Sequence, residues 1–355
     1  MKHWIVLHFA IPCCLLILSG PLSRGQVSRR DLEEIERHRR EEVTPPLIQS
    51  IEGPDSLRWV GSVIVGTWDH LEEEVHEDDA SDGRLGEKGL DGYMLDSIMD
   101  MFVQGRNSLL DGMISGYITR HRRGMGIVLG RYAAYEDELR AVFGNRGLPE
   151  DLSLLAAVES AMNPLALSKA GARGMWQFMP GTARHYGLRC DGLIDERLDY
   201  YRSTDAAARY LENAYKRFGD WGLAVMSYNC GHAAIEKAIR IAGSSEFKDI
   251  YPFLPAETRG YLPAFAATLF CFRFADDLEI DIRPFHRVRE ERFIIDRDLS
   301  FEEIIRATGV PVGELRRLNP QYLSGMIPGS MRTCILRLPA RYGKYYRDNI
   351  DIVDK

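Results

Sequence analysis

The chain has no basic excess, few cysteines, and only one apolar run that approaches membrane-spanning length. Its formal net charge is −7 over 355 residues, which argues against a dedicated nucleic-acid binder, since such proteins normally carry a basic face. Beyond the N-terminal region no apolar stretch is long enough to cross a bilayer. Four cysteines lie outside that region: Cys190, Cys230, Cys271 and Cys334. They show no CxxC pairing and no metal-ligand spacing with histidine, so no metal and no disulfide framework is expected. They read as small buried thiols, with one disulfide as the alternative in an exported chain. Apolar and charged fractions of 45% and 27% are ordinary for a globular protein and exclude the disordered and fibrous classes.

What is present begins with a leader. Lys2 gives a positive start, Ile5 to Leu18 is almost wholly apolar, and Ser23-Arg24-Gly25 offers small residues at a cleavage site. Residues 1–25 therefore read as a secretory signal peptide. Pro12 interrupts the short apolar run, which disfavours a retained anchor and makes Cys13 or Cys14 a poor lipidation site. Residues 26–92 read as a charged arm stopped by Pro45-Pro46, a strand candidate from Arg58 to Trp68, and a solvated acidic run from Glu72 to Asp79. Over 93–146, Met94, Ile98, Met101 and Phe102, then Leu109, Met113 and Tyr117, recur at helical spacing.

Residues 147–280 read as a compact helical domain. Leu152 to Val158 forms an apolar helix ended by Asn163-Pro164, because a residue before proline avoids the α region. A second helix follows Ser203-Thr204-Asp205 and closes near Gly219. Asp220 caps a third through Ala224-Val225-Met226, and Tyr261 to Phe274 makes a last, core helix. Residues 290–340 change character. Phe293-Ile294-Ile295 reads as a strand, Ser300-Phe301-Glu302-Glu303 as a capping box opening a helix that ends at Gly309, Pro311 to Leu318 as a second helix, and Ile335 to Leu338 as a strand. The order is β-α-α-β.

Glu159 is the first candidate for chemistry. It closes an apolar helix, Leu154-Leu155-Ala156-Ala157-Val158. An apolar setting disfavours the carboxylate, and the negative end of the helix dipole acts in the same direction. Both raise its pKa, which suits a general acid near neutral pH. Taken alone, it would read as a capping glutamate at a helix end.

Its surroundings change that reading. Val158-Glu159-Ser160-Ala161-Met162-Asn163-Pro164 is followed by Ser168-Lys169-Ala170-Gly171-Ala172-Arg173-Gly174-Met175-Trp176-Gln177-Phe178-Met179-Pro180. Then come Ser227-Tyr228-Asn229-Cys230-Gly231 and Glu257-Thr258-Arg259-Gly260-Tyr261-Leu262-Pro263. In this order the set resembles the catalytic domain of the soluble lytic transglycosylases, within the membrane-bound lytic transglycosylase D-like branch, over residues 95–275. The resemblance implies a mostly α, lysozyme-like (goose-lysozyme-like) catalytic domain that cleaves peptidoglycan glycan strands with no cofactor and no metal. It makes Glu159 the acid/base. Ser168 and Gln177 would hydrogen-bond the glycan, Met179 would line the sugar groove, Asn229 beside Tyr228 would contact the N-acetylmuramic acid, and the Tyr261 hydroxyl would orient the catalytic carboxyl. On the residues alone, Met179, Tyr228 and Tyr261 could equally be core. Two positions depart from the family: Cys230, where alanine is usual, and Gly260, where asparagine is frequent.

No acidic residue lies close in sequence to the Ser168–Pro180 segment, and Asp195 and Glu196 are the next candidates. Hydrolytic glycosidases typically use two carboxylates, whereas a lytic transglycosylase needs one, because the muramic acid's own C6 hydroxyl attacks. A hydrolytic muramidase on the same fold and a catalytically silent wall-binding scaffold are the alternatives. The β-α-α-β piece resembles a LysM module, most clearly at Leu315-Arg316-Arg317-Leu318-Asn319-Pro320 and Ile327-Pro328-Gly329, and departs from it at Asp296 to Ser300. That resemblance makes it a glycan-binding tether, with a purely structural cap as the alternative. Export across the inner membrane to the periplasm is expected, with membrane association through an uncleaved leader as the alternative. Envelope protein partners are not identified by the sequence.

Overall fold

The computed structural model describes residues 108–350. The leader, the charged arm, the strand candidate at 58–68, the acidic run and the helical pattern up to residue 107 lie outside the described residues. Helix α1, Ser108–Ile118, leads into α2, Arg122–Gly144. Met125, Leu129, Tyr132, Leu139 and Phe143 are buried along α2, the spacing that puts side chains on one helical face. A 3₁₀ turn, Glu150–Leu154, then runs into α3, Leu155–Ser160. The apolar run at 152–158 is thus helical as expected, but its first turn is wound more tightly. Residues Leu152, Leu154, Leu155 and Ala156 are all fully buried, so this short helix is buried nearly all round rather than amphipathic, with Glu159 its half-buried residue.

Helices α4 (Pro180–His185), α5 (Tyr200–Phe218), α6 (Trp221–Cys230), α7 (His232–Ala242), α8 (Phe247–Ile250) and α9 (Ala256–Arg273) complete the domain. As expected, Gly219 ends α5 in the left-handed conformation, and the Asp220 carboxylate caps α6 by accepting the Leu223 N–H. Two starts differ from the sequence reading. Helix α5 begins at Asp199, whose carboxylate accepts the N–H groups of Tyr201 and Arg202. Ser203 and Thr204 lie inside the helix, where their hydroxyls donate back to the carbonyls of Asp199 and Tyr200, so these buried polar groups are satisfied without a cap role. Helix α9 starts at Ala256, five positions before Tyr261, and runs through Pro263. Helices α1 and α2 share one continuous apolar core with α3, α5, α6 and α9. Within the described residues no helix is long and apolar enough to cross a membrane, and Cys190, Cys230, Cys271 and Cys334 are free thiols.

The C-terminal piece contains the β-α-α-β order read from the sequence. Strand β1, Glu290–Ile295, pairs antiparallel with β4, Cys334–Pro339. A second small ladder joins β2, Asp298–Ser300, to β3, Met326–Pro328. Between them stand α10, Phe301–Thr308, and α11, Val312–Leu318. The Ser300/Glu303 capping box and the Gly309 terminus form as expected. The β2–β3 ladder and a closing helix α12, Ala340–Asn349, were not foreseen.

This module is fastened to the helical domain. The connector lies in a trough on α2, where a Cβ at Gly126 would stand 2.0 Å from the Asp281 carbonyl oxygen and one at Gly130 1.6 Å from that of Arg283. Only glycine permits backbone so close to a helix. Arg287 then sits 4.2 Å above the Tyr135 ring and donates to Glu138 at 2.6 Å. Arg337 of β4 makes a two-pronged ion pair with Asp199, at 2.9 and 3.1 Å, with both side chains about 4% exposed. A cleft of about 250 Å³ lies on this seam beside Tyr201, Arg202 and Arg209. None of the residues expected to bind glycan lines it.

Candidate active site

Glu159 occupies the last turn of α3, and the chain beyond it turns sharply. Ala161 and Met162 both adopt left-handed conformations, at φ 51° and 63°, which cost a residue with a side chain energy and persist only when the surroundings enforce them. Ser160 supplies that enforcement. It is fully buried, its hydroxyl donates to the Met175 carbonyl at 2.8 Å, and it accepts the Asn163 N–H at 3.1 Å. The residue next to the acid thus ties the end of α3 to the Ser168–Met179 segment.

The carboxyl of Glu159 accepts a hydrogen bond from the Tyr261 hydroxyl on α9. Burial pushes its pKa from the usual 4.5 up to about 8; the Tyr261 hydrogen bond pulls the other way, and the charge of Glu257 adds to the rise. The direction is the one expected from the apolar setting and the helix dipole together; burial is its largest cause. Glu257 itself is exposed on the first turn of α9. Tyr261 and Tyr228 are both raised well above ordinary tyrosine values, by burial first and then by the neighbouring Glu159 charge. Both therefore stay neutral donors. Because Tyr261 donates to Oε1, Oε2 is the oxygen left to carry the acid's proton.

The remaining expected residues fall into two groups. Tyr228 stands with Glu159 and Tyr261, but its hydroxyl is spent on the Trp176 carbonyl, at 2.9 Å. Its ring packs edge-on against Phe178 and Tyr210, at 5.8 and 5.0 Å. It holds the Trp176–Phe178 backbone in place. Asn229 is partly buried and faces α9, where Thr258 donates to its side-chain oxygen at 2.7 Å. That bond fixes which way the amide points and leaves its NH₂ as donor.

Ser168, Gln177 and Met179 lie on one segment. The Ser168 hydroxyl accepts the Ala172 N–H at 3.0 Å, closing a small turn. Gln177 has a positive φ of 48°, and its amide nitrogen donates to the Gly174 carbonyl at 2.8 Å. Its Oε1 is thereby turned away from that bond. Met179 is 44% exposed at the start of α4, available for apolar contact. Trp176 anchors the segment from beneath, fully buried and donating to Thr204 at 2.8 Å.

The two acids left open as a second carboxylate are occupied. Asp195 is 3% exposed and bonded to Arg197 and Arg173. Burial opposes its charge, but these two arginines outweigh it and hold its pKa below the ordinary value. Glu196 is 5% exposed, paired with Arg332 and Arg202, and accepts the Arg189 N–H. Ser160 and Thr258 went unassigned in the sequence reading although both stand inside its motifs. Their partners, Met175 and Asn229, become visible only in the fold.

Comparison with known proteins locates two matches. Residues 144–251 match the family described as Transglycosylase SLT domain, and residues 291–355 match that described as Lytic transglycosylase MltD, LysM-like domain. Membrane-bound lytic murein transglycosylase D of Escherichia coli strain K12 is 29% identical over 211 residues, covering 58% of this chain and 46% of that relative. The soluble lytic murein transglycosylase of the same strain is 30% identical over 139 residues, covering 36% and 21%. Among solved structures, the 70 kDa soluble lytic transglycosylase of E. coli aligns with a TM-score of 0.37 at 18% identity, over 70% of this chain and 45% of that one. The chain thus spans less than half the length of the curated relatives it matches. It resembles lytic transglycosylases in both its helical domain and its C-terminal module.

Proposed function

We propose that the protein is a peptidoglycan lytic transglycosylase in which Glu159 acts alone as acid and base. The observation that carries this reading is the pairing of Glu159 with Tyr261, in a setting that raises the acid's pKa to about 8, while Asp195 and Glu196 are bound up in ion pairs. A carboxyl still protonated at neutral pH can give its proton to the leaving oxygen. Oε2 protonates the oxygen between N-acetylmuramic acid and N-acetylglucosamine, and the bond to the anomeric carbon breaks. The muramic acid's C6 hydroxyl forms the new bond to that carbon and returns its proton to Glu159. No water is consumed. Asn229, Gln177 and Ser168 would hold the sugars, Met179 would pack against them, and Tyr261 would keep the carboxyl aimed.

The product distinguishes this from hydrolysis. Digested peptidoglycan is expected to yield muropeptides ending in 1,6-anhydro-N-acetylmuramic acid, one water lighter than hydrolysis products, which mass spectrometry reads directly. Glu159→Gln keeps the shape but cannot shuttle a proton, so the rate should fall by about 10²–10⁴-fold while glycan binding survives. Products of ordinary mass would instead make Glu257 the candidate second carboxylate, tested by Glu257→Gln.

For location, the relative named above is described as membrane-bound. The apolar leader supports export to the periplasm with residues 1–25 removed. N-terminal sequencing of protein taken from its native envelope should begin near Gln26. An intact Met1 would mean the leader is kept as an anchor.

A further inference from the structure

Besides the Arg337–Asp199 pair, the module is joined to the helical domain through residues 189–199. Loop 189–199 leaves the helical domain and adds an edge to the module. The Asp195 N–H donates to the Gln321 carbonyl at 2.9 Å, and the Leu323 N–H donates to the Leu193 carbonyl at 3.0 Å. Between these bonds Ile194, 1% exposed, belongs to the module's apolar core rather than to its own domain's. Arg332 closes the link by donating to Glu196 at 2.7 Å.

The same loop grips the substrate-facing segment from its other side. Arg197 is buried, and its fork takes both oxygens of Asp195, each at 2.8 Å. Its remaining Nη1 donates to the Gly171 carbonyl at 2.8 Å and the Phe178 carbonyl at 3.1 Å. One guanidinium therefore clamps the two ends of the turn that carries Gln177. Gly174, at φ 80°, lies so close to the Arg197 carbonyl that a Cβ would stand 1.8 Å from it. The contact is continuous from module to loop to segment.

We propose that the C-terminal module is a positioning element of the catalytic site, acting through loop 189–199 and Arg197 on the segment that carries Ser168 and Gln177. This deepens the transglycosylase reading and rests on it for its catalytic readout. Arg197 does not reach substrate; it holds the backbone that does. Only a planar, five-donor fork can bond one carboxylate and two carbonyls together, so lysine is a poor substitute.

Three variants of the full-length chain test this. Ile194→Ala withdraws the apolar plug from the module, Arg332→Ala cuts the same link more mildly, and Arg197→Lys keeps the charge but loses the fork. Each is assayed well below its own melting temperature. Amide hydrogen exchange across residues 168–178 should quicken by about tenfold in Ile194→Ala and Arg197→Lys, the effect of one lost charge-assisted bond or buried contact, and by less in Arg332→Ala. The kcat/KM on short soluble glycans should fall in the same order, and pull-down on insoluble peptidoglycan should be unchanged. Lower melting temperatures with wild-type exchange and kcat/KM would overturn the proposal, as would loss of pull-down alone. If Ile194→Ala does not fold, Arg332→Ala decides. A wild type that releases no product would sink the transglycosylase reading, while the exchange measurement would still decide the positioning link.

Discussion

Glu159 shows how far a single residue can be read. Its apolar approach helix predicted a raised pKa, and the structure provides the enclosure that causes it. The sign follows from linkage. Between about 4.5 and about 8 the folded chain keeps a proton on Glu159 that the unfolded chain has released, so this residue lowers stability progressively as pH rises through that window. Glu159→Gln removes the penalty. Its thermal unfolding should match wild type near pH 4 and show a gain of about 2 kcal/mol near pH 8, the ideal linkage value being reduced because Glu159 is only half-buried. Tyr261→Phe acts differently. The lost hydrogen bond had favoured the charged carboxyl, so its loss raises the acid's pKa further. The alkaline limb of the pH–rate profile should move upward while kcat falls about tenfold, as expected for one removed charge-assisted bond. An unmoved limb would mean that Tyr261 serves packing alone.

At the scale of elements, caps were the most legible feature. Asp220, Gly219, Ser300 with Glu303, and Gly309 all terminate helices where the sequence placed those ends, because capping is local chemistry within a few residues. The starts of α5 and α9 were misread for the complementary reason. Ser203-Thr204-Asp205 resembles a cap, but Asp199 captures that role, and the two hydroxyls are satisfied inside the helix. The Ser168–Met179 segment lies outside the regular helices and strands, yet several side chains hold its backbone. Its hold on Arg197 depends on Gly174, where a side chain would meet both a positive φ and a backbone oxygen. Gly174→Ala should cost at least about 3 kcal/mol in denaturant unfolding, combining strain with a contact that cannot relax. Gly181→Ala, with open space around its Cβ position, is the matched control and should change stability little.

Among the described residues, the seam fastens the C-terminal module to the helical domain. The LysM resemblance implies a glycan-binding tether; the structure shows the module joined to the helical domain by a buried Arg337–Asp199 pair. Arg337→Met would leave Asp199 charged, enclosed and without its main partner, which should cost about 3–5 kcal/mol. The same pair caps α5, so the loss should appear as one lower melting transition for the entire described unit rather than a separate early transition of the module. The exposed pair of Lys216 with Glu212 offers the contrast: Lys216→Ala should shift stability by less than about 1 kcal/mol.

The sequence by itself determined the helical class and the β-α-α-β order, and it singled out Glu159 with the motifs around it as the candidate site. These depend on periodicity, caps and contiguous motifs, all of which act over a few residues. Only the tertiary structure decided which groups were already spoken for. Tyr228 turned out to hold the Trp176 carbonyl, Thr258 to set the Asn229 amide, and Asp195 and Glu196 to be neutralised by Arg197 and Arg332. Arg332 stands 136 positions beyond Glu196, and no local pattern encodes such a pairing. Whether a polar side chain is free to meet a ligand depends on partners brought to it by folding, and burial makes those partnerships obligatory.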